Sequence, residues 1–565
     1  MDRKTQLFST ALTCFSLALL VGCTSAPARD AAPVAVDVPS VSHPAGETPA
    51  WWYRSGAARA AGNGAMNGRA KNVILFLGDG MSLTTVAAAR ILEGQRRSDP
   101  GEESRLSWEE FPNTALSKTY NTDSQTPDSA GTMTAITTGV KSHMGAISVG
   151  AGKKSDCAGS LKQPLLTWLE LADSAGLATG IVTTARLTHA TPAATYAHVP
   201  NRDWENDADL PAAAVADGCK DIAQQLLSSS RFGRGPTVAL GGGRREFTNV
   251  EQRDPEHDDK VGKRLDGRNL VDEWTRARPG AAYAWNRGQL EAQKGASALL
   301  GLFEDEHMQF EHERDKGPGG DPSLTEMTLA AIDVLSRNTQ GYVLMVEGAR
   351  IDHANHYGNA YRALDETISL SNAVRAAVQT TSADDTLIIV TADHSHTLNF
   401  VGYPVRGNPI LGKVRGRGSE DDVPGDLARD KTGQVFTTLT YANGPGNTGA
   451  SNQQKEGPKT FLHEPSSYDE REGRPDLSAV DTEHPDYLQE SLIPLKSESH
   501  GGEDVGIWAR GPGSQAIRGT VEQNVLYHFI VQATPALRTR LCAAKTCNAQ
   551  GVPVDLPVPA DFEKK

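Results

Sequence analysis

Four apolar runs organise the chain between residues 71 and 396, and each is followed by a polar cluster and a segment of helical composition. The runs cover residues 73–77, 180–183, 342–346 and 387–390. Continuous apolar strands that alternate with helices are typical of a mostly parallel sheet buried on both faces. The sequence therefore predicts an α/β fold with a central, mostly parallel sheet flanked by helices on both faces.

The polar clusters that follow these runs give the first indication of a functional site. Asp79, Glu347 and Asp393 lie just beyond apolar runs, and threonine or histidine residues accompany them. Ligands of such sheets bind at the carboxyl ends of the strands. We therefore expect these side chains to meet at one edge of the sheet.

Two segments do not follow this alternation. Residues 241–321 are charged and rich in glycine, and residues 400–495 are rich in Gly, Pro, Asn and Ser. The second composition is typical of a long surface insertion. Neither segment indicates a separate nucleotide-binding fold, and the chain has no internal repeat, so one large domain with an insertion is predicted.

The N-terminal residues have the pattern of a secretory signal. Arg3 and Lys4 precede an apolar run at 11–21 that is too short to span a bilayer. The run ends in LVGC at 20–23, which resembles the lipobox of bacterial lipoproteins, in which Cys23 becomes lipidated. Cleavage nearby, after Ala26 or Ala28, is the alternative. We expect an exported protein in the periplasm or at the cell surface, whose membrane contact is an N-terminal lipid only.

A tether is predicted between this signal and the folded domain. The signal peptide covers residues 1–22, and residues 24 to about 50 have an Ala-, Pro-, Ser- and Val-rich composition that indicates disorder. The WWY sequence at 51–53 and the Ala-rich stretch after it predict a short helix. Residues 23–68 are therefore assigned to the tether and N-terminal helix, and residues 549–565 to a C-terminal tail.

Four of the six cysteines predict two disulfides. One cysteine lies in the signal and Cys23 would carry the lipid, which leaves an even number in an oxidising compartment. Their local spacing favours Cys542 with Cys547, which leaves Cys157 with Cys219.

The net charge limits the classes of partner. The chain has 565 residues and a formal net charge of −14, which argues against a general nucleic-acid binder, since that function requires clustered Lys and Arg. A small phosphorylated substrate remains possible, because bound cations and one arginine create a local positive site in an acidic protein.

Two clusters have the composition of zinc sites. If the segment after residue 348 is helical, Asp352 and His356 lie on one face and can chelate Zn²⁺, although for this pair taken alone a helix salt bridge is the favoured explanation. Asp393, His394 and His396 follow an apolar run and can converge on one metal, or they can form a turn.

Asp79 and Ser129 complete the candidate chemistry. Asp79 lies between two glycines, which allow close approach of a ligand but also occur in common turns. Ser129 precedes a helix predicted over 133–138, where backbone N–H groups favour an anion, and a plain Ser N-cap is the alternative. Next to Zn²⁺, however, a serine hydroxyl loses its proton readily and becomes a strong nucleophile.

Five long motifs occur in order along the chain: FLGDGM (76–81), PDSAGT (127–132), VEGARID (346–352), VTADHSH (390–396) and ESHGGED (498–504). With these motifs, the sequence from about 71 to 547, nearly 480 residues, resembles the alkaline phosphatases, and the animal type more than the enterobacterial one. Together with the N-terminal signal, this resemblance implies a bacterial exported form with an alkaline phosphatase domain at 69–548, a crown-like insertion at 400–495 and a homodimer. It also implies hydrolysis of diverse phosphate monoesters through a phosphoserine at Ser129.

The same resemblance implies three cation sites near Ser129. Arg202 matches the arginine that binds two phosphate oxygens, a task suited to its planar guanidinium. His189 and His353 match residues near the metals that act through waters or neighbouring ligands. The implied ligands are Asp352, His356 and His500 for one Zn²⁺, Asp79, Asp393 and His394 for the second Zn²⁺, and Asp79, Thr191 and Glu347 for Mg²⁺.

A fourth ion, Ca²⁺, is implied by motifs between residues 250 and 325. Its ligands would be Glu256, the backbone carbonyl of Phe303, Glu304 and Asp321, and oxygen ligands suit Ca²⁺. The spacing before Glu256 and before Asp321 departs from the animal pattern.

Three alternatives to a phosphomonoesterase remain. Sulfatases and phosphodiesterases of the same superfamily share the metal core, but Ser129 lacks the Cys/Ser-x-Pro-x-Arg context of a sulfatase. A catalytically silent phosphate- or metal-binding lipoprotein would have lost a ligand, and every matched ligand is present. The preferred monoester is left open.

Overall fold

A computed structural model describes residues 33–41, 46–150, 154–228, 235–416, 425–469 and 473–563. The predicted signal peptide, Cys23 and the first part of the tether lie outside these residues. Within the described ranges, no helix combines the length and apolar character needed to cross a membrane.

The chain alternates strands and helices over most of its length. The strands are β1 (Asn72–Gly78), β2 (Asn113–Lys118), β3 (Ala178–Arg186), β4 (Val238–Gly242), β5 (Ala281–Ala284), β6 (Ala298–Leu302), β7 (Tyr342–Gly348), β8 (Thr386–Ala392), β9 (Ser395–His396), β10 (Leu398–Phe400), β11 (Leu439–Gly444), β12 (Ser491–Pro494), β13 (His500–Gly501), β14 (Val505–Arg510) and β15 (Gly519–Glu522). The α-helices are α1 (Pro49–Gly62), α2 (Leu83–Gln95), α3 (Ser129–Thr138), α4 (Cys157–Ser160), α5 (Trp168–Ser174), α6 (Ala190–Ala193), α7 (Ala212–Ala216), α8 (Ile222–Ser228), α9 (Arg244–Phe247), α10 (Leu270–Arg276), α11 (Arg287–Ala292), α12 (Leu324–Leu335), α13 (Arg350–His356), α14 (Ala360–Thr380), α15 (Val525–Ala533) and α16 (Pro535–Ala543). Short 3-10 helices lie at Ala65–Asn67, Ser107–Glu110, Asp207–Asp209, Ser514–Ala516 and Pro559–Phe562.

A ten-stranded sheet forms the centre of the fold. Its strand order is β15-β2-β14-β8-β1-β7-β3-β4-β6-β5, and only the two pairs that include β14 are antiparallel. The four apolar runs of the sequence lie in β8, β1, β7 and β3, which are consecutive in this sheet. The predicted mostly parallel sheet is therefore confirmed.

Both faces of the sheet are buried. In β1, Ile74 and Phe76 belong to one apolar core, whereas Val73, Leu75 and Leu77 belong to the other, because successive side chains of a strand point to opposite faces. Helices α2, α12 and α14 contribute to the first core, and α1, α3, α5 and α15 to the second. The prediction of helices on both faces is confirmed.

Segment 241–321 contributes more to the sheet than its composition indicated. It contains β5 and β6, and β6 pairs in parallel with β4 through Val238 and Leu299. Segment 400–495 is largely irregular, but β11 and β12 lie within it and form a three-stranded sheet with β10.

The N-terminal helix forms as predicted, but the chain before it is not entirely disordered. In α1, Trp52 and Tyr53 are buried. Val34 and Val36 pack against a small apolar cluster that α1 shares with Val552 and Val554. The expectation of disorder over residues 24 to about 50 is therefore wrong for residues 33–41, because their valines bury apolar surface on α1.

Both predicted disulfides are present. Cys157 is bonded to Cys219 and Cys542 to Cys547, with Cα atoms 6.0 and 4.9 Å apart. These separations lie within the normal range for disulfides.

Candidate active site

The predicted acidic residues meet at one edge of the sheet. In the parallel register, Leu77 of β1 lies beside Glu347 of β7, and Gly78 lies beside Ala392 of β8. Asp79 and Asp393 are the next residues of their chains, so the three carboxylates reach the same edge. All three are fully buried.

Ser129 is the first residue of α3, and its hydroxyl is not used as a helix cap. Asp128 is the N-cap and accepts a hydrogen bond from the N–H of Gly131 at 3.1 Å. The Ser129 Oγ instead lies 3.1 Å from His394 Nε2 and 3.5 Å from Asp79 Oδ1. The alternative of a plain Ser N-cap is therefore wrong, and the helix begins four residues earlier than predicted.

One candidate metal group consists of Asp352, His356 and His500. Asp352 and His356 lie on α13, with Oδ2 and Nε2 3.4 Å apart, so the predicted helical spacing is confirmed. His500 Nε2 is 3.4 Å from Asp352 Oδ1 and 3.2 Å from His356 Nε2. The pairing of β13 with β9 brings His500 to this position from a distant part of the sequence.

A second group consists of Asp79, Asp393 and His394. His394 Nε2 lies 3.4 Å from Asp79 Oδ1 and 3.3 Å from Asp393 Oδ2. The rings of His394 and His500 stack with their centroids 3.7 Å apart, so the two groups are adjacent.

The hydrogen bonds of the histidines indicate why these groups suit cations. His356 Nδ1 lies 2.5 Å from the carbonyl oxygen of Glu498, and His500 Nδ1 lies 2.7 Å from that of Pro127. A carbonyl only accepts, so each Nδ1–H donates to that carbonyl, and each Nε2 is left to face the carboxylates. Imidazole nitrogen together with carboxylate oxygen is a usual ligand set for Zn²⁺, and a carbonyl that accepts from the other ring nitrogen orients such a ligand.

A third candidate metal group consists of Asp79, Glu347 and Thr191, which offer only oxygen ligands. Among the described residues, Asp79 Oδ2, Glu347 Oε1 and Thr191 Oγ1 are buried side-chain atoms without a hydrogen-bond partner. Burial raises the pKa of Glu347 to about 8, and burial together with Asp393 and Asp352 raises the pKa of Asp79 well above its usual value. An oxygen-rich, negatively charged group of this kind fits Mg²⁺.

Arg202 lies next to Ser129 and is fixed on two sides. Its Nη1 donates to Asp128 Oδ2 at 3.1 Å, and its Nη2 donates to His189 Nε2 at 3.0 Å. Burial alone would raise the pKa of Asp128. The charge of Arg202 and the backbone N–H donors outweigh burial, so the pKa of Asp128 lies below its usual value. The guanidinium keeps its Nε–H and one N–H on each Nη for a ligand.

His189 and His353 lie in a wall of imidazole rings that also includes His307. The centroids of His189 and His353 are 5.6 Å apart, and those of His307 and His353 are 4.2 Å apart. Burial lowers the pKa of all three rings well below its usual value, and nearby arginines lower it further. These rings are therefore neutral, and His353 accepts a hydrogen bond from Arg350 at 2.8 Å. His307 was not predicted as part of the site.

Two further residues of the site lie inside the quoted motifs: His396 was predicted only as a member of the cluster after β8, and Glu498 had no predicted role. His396 Nε2 lies 2.7 Å from Asp352 Oδ1, and its Nδ1 lies 2.5 Å from Glu498 Oε2. Glu498 also accepts from the backbone N–H of Thr397 at 2.6 Å. His396 therefore holds Asp352 in place, and Glu498 holds His396. These contacts form only when β9 pairs with β13, so the sequence alone did not predict them.

The predicted fourth site contains three carboxylates close together. Glu304 and Asp321 are buried, and Asp321 Oδ1 has no hydrogen-bond partner among the described residues. Burial, Glu304 and Glu256 raise the pKa of Asp321 to about 8, although a backbone N–H donor opposes them. The carbonyl group of Phe303 precedes Glu304 in the chain. The set fits a divalent cation, and His257, which was not predicted, lies 3.1 Å from Glu304.

Fold and site together define a metal-dependent hydrolase that acts on phosphate groups. A sequence model of the family "Alkaline phosphatase" matches residues 70–536. The tissue-nonspecific isozyme of alkaline phosphatase from Felis catus is 43% identical over 472 residues, which cover 82% of this chain and 83% of that protein. The Homo sapiens isozyme is 42% identical over 473 residues, with 82% and 83% coverage. The chain belongs to the alkaline phosphatase family and is a phosphoric monoester hydrolase.

Solved structures agree on the fold. The alkaline phosphatase of Thermus thermophilus has a TM-score of 0.56 and 24% identity, covering 83% of this chain and 92% of that chain. The enzyme from the Antarctic bacterium TAB5 has a TM-score of 0.54 and 20% identity, covering 83% and 99%.

Proposed function

We propose that the enzyme hydrolyses phosphate monoesters by double displacement with Ser129 as the nucleophile. The observation that supports this most directly is the position of Ser129 Oγ, a buried hydroxyl at a helix N-terminus, 3.1 Å from His394 Nε2. The Oγ attacks phosphorus and the alcohol leaves, which gives a phosphoserine. Water then breaks the Ser129 Oγ–phosphorus bond and releases inorganic phosphate.

The chain's own groups orient both steps. The first N–H groups of α3 and the positive end of its dipole face the phosphoryl group. The Ser129 hydroxyl faces Asp79 Oδ1, which can accept its proton. Arg202, held by Asp128 and His189, binds two oxygens of the phosphoryl group and neutralises their charge.

Three cations complete this proposal. Asp352, His356 and His500 would hold one Zn²⁺, Asp79, Asp393 and His394 a second, and Asp79, Thr191 and Glu347 a Mg²⁺. When bound, such ions lower the pKa of a coordinated hydroxyl or water and neutralise the charge that develops on phosphate and leaving-group oxygens.

Arg202→Ala should mainly weaken phosphate binding. We expect kcat/KM for an aryl phosphate to fall about 10²-fold, because two charge-assisted hydrogen bonds are lost. We expect kcat to fall only modestly. The inhibition constant of inorganic phosphate should rise by about the same factor by which kcat/KM falls. Steady-state kinetics with phosphate as a product inhibitor measure all three quantities.

Two comparisons sharpen this test. Arg202→Lys keeps the charge but loses the planar geometry, so its kcat/KM should lie between those of wild type and Arg202→Ala. Rates on an aryl diester and an aryl sulfate should be far below the monoester rate in wild type. An unchanged monoester kcat/KM in Arg202→Ala would contradict the proposed role, and a preference for diester or sulfate would favour the corresponding relatives.

A fourth cation and a homodimer also belong to this proposal. Glu256, the Phe303 carbonyl, Glu304 and Asp321 would hold the fourth ion, for which the family resemblance implies Ca²⁺. A dimer is supported by exposed apolar side chains on the β10–β12 sheet, where Leu492 is 82% and Ile493 52% exposed. Surfaces of this kind commonly become buried on association.

Export and lipid attachment are proposed from the N-terminal sequence. The two disulfides are consistent with an oxidising compartment. The LVGC sequence makes Cys23 the proposed lipid carrier, so the enzyme would be held to a membrane without a spanning segment.

Cys23→Ser should move the enzyme from the detergent phase to the aqueous phase of a Triton X-114 extraction. The physical reason is the loss of the acyl chains, each buried CH₂ of which contributes about 0.8 kcal/mol to membrane binding. Palmitate labelling should disappear in the same variant. Cys14→Ser changes a cysteine of the predicted signal and should leave both results unaltered, whereas detergent partitioning of Cys23→Ser would exclude the lipid anchor.

A further inference from the structure

Two of the three carboxylates of the fourth cation site, those of Glu304 and Asp321, form no ion pair with lysine or arginine among the described residues. Arg244 binds Asp254 through two hydrogen bonds and also contacts Glu256 Oε2 at 2.9 Å. Lys260 binds Asp305 at 2.6 Å. Among the described residues, the side-chain carboxylates of Glu304 and Asp321 therefore form no ion pair with lysine or arginine, although both residues are at least 95% buried.

His257 is directed at the same carboxylates. Its Nε2 lies 3.1 Å from Glu304 Oε2, 3.6 Å from Asp305 Oδ1 and 4.0 Å from Glu256 Oε2. The nitrogen therefore faces oxygens of three acidic residues. Nearby, the buried Asp321 Oδ1 lacks a hydrogen-bond partner.

The spacing of His257 Nε2 and Glu304 Oε2 is that of two ligands around one small cation. Ligands at 2.0–2.1 Å from a tetrahedral ion lie about 3.3 Å from one another. The same spacing occurs in the active site, where His394 Nε2 is 3.3 Å from Asp393 Oδ2. The His257 Nε2 to Glu304 Oε2 distance of 3.1 Å is comparable.

We propose that His257 is a ligand of the fourth cation and that this site prefers Zn²⁺ to Ca²⁺. The inference rests on the fourth site proposed above. Ca²⁺ takes six to eight oxygen ligands and gains little from nitrogen, whereas imidazole with carboxylates is a normal Zn²⁺ ligand set. The remaining ligands are those proposed above, namely Glu256, the Phe303 carbonyl, Glu304 and Asp321.

Metal content distinguishes this site from the active site. Chelator-treated protein is reloaded with excess Zn²⁺, Mg²⁺ and millimolar Ca²⁺ and then desalted, and its metals are counted by mass spectrometry. Wild type should hold about one more zinc per chain than His257→Gln, and His257→Gln should hold Ca²⁺ in its place. His484→Gln, which changes a histidine with a 57% exposed side chain, should match wild type.

Anomalous diffraction at the zinc edge gives an independent result. We expect a zinc peak about 2.1 Å from His257 Nε2 and next to Glu304 and Asp321 in wild type. Equal zinc counts in wild type and His257→Gln, or a Ca²⁺ ion at this position in zinc-loaded crystals, would overturn the inference. A failure of the proposed catalytic role would instead appear as absent phosphatase turnover, with the zinc peak near His257 unaffected.

Discussion

Ser129→Ala should eliminate the phosphoenzyme and lower kcat for aryl phosphates by about 10³-fold or more, the order expected when a covalent nucleophile is removed. Without Oγ, water must attack the bound ester directly, and only the charges of the site remain to assist it. Rapid quenching with radioactive substrate measures the phosphoenzyme, and pre-steady-state kinetics measure the phosphate burst.

A nearby serine provides the matched control. Ser142 is also buried, and its Oγ donates to the carbonyl of Val149 at 3.1 Å, away from the candidate metal groups. Ser142→Ala should therefore retain the burst and most of the turnover, with a loss only of stability. A burst of undiminished size in Ser129→Ala would show that another residue is phosphorylated.

The centre of the sheet could be predicted from sequence because its strands are buried on both faces. In β1, all seven residues are buried, and a strand buried on both faces has a largely continuous apolar sequence. Strand β2, which lies between β15 and β14 near one edge of the sheet, alternates exposed and buried residues, and β14 runs antiparallel to both of its neighbours. Their pairing depends on tertiary contacts, so no local pattern predicted either strand.

The candidate site divides in the same way. Residues that follow a strand directly, such as Asp79 and Asp393, could be predicted because topology fixes where strand ends meet. His396 and Glu498 acquire their contacts only when β9 pairs with β13, and no sequence spacing encodes that pairing. His257 was missed for a related reason, since its neighbour Glu304 is 47 residues away in the chain.

The N-terminus of α3 shows how one residue changes an interpretation. Serine is a common N-cap residue, and this preference was the basis for the alternative that Ser129 only caps the helix. Asp128 provides the cap instead, and it also binds Arg202. One carboxylate therefore frees the serine hydroxyl and positions Arg202, the arginine proposed to bind phosphate, which could not be predicted from the order of the residues alone.

Removing divalent cations with EDTA should abolish turnover and lower the melting temperature. The site contains four buried carboxylates whose negative charges lie close together, and bound cations stabilise the folded state by binding it selectively. An ion whose free concentration is a thousand times its Kd stabilises the folded state by about 4 kcal/mol, so removing all the ions should cause a large loss of stability. The four carboxylates are Asp79, Glu347, Asp352 and Asp393. Calorimetry and aryl phosphate turnover on the same samples measure the two effects.

Reloading separates the candidate groups. Mg²⁺ alone should not restore turnover, because the groups that contain His356, His500 and His394 combine imidazole with carboxylate and select Zn²⁺. Zn²⁺ alone should restore part of the activity, and Zn²⁺ with Mg²⁺ all of it, since Glu347 and Thr191 offer only oxygen ligands. EDTA saturated with Zn²⁺ beforehand should have no effect, which excludes direct inhibition by the chelator. Full activity in metal-free EDTA would mean that these acids and imidazoles act without cations, and the proposed mechanism would then be wrong.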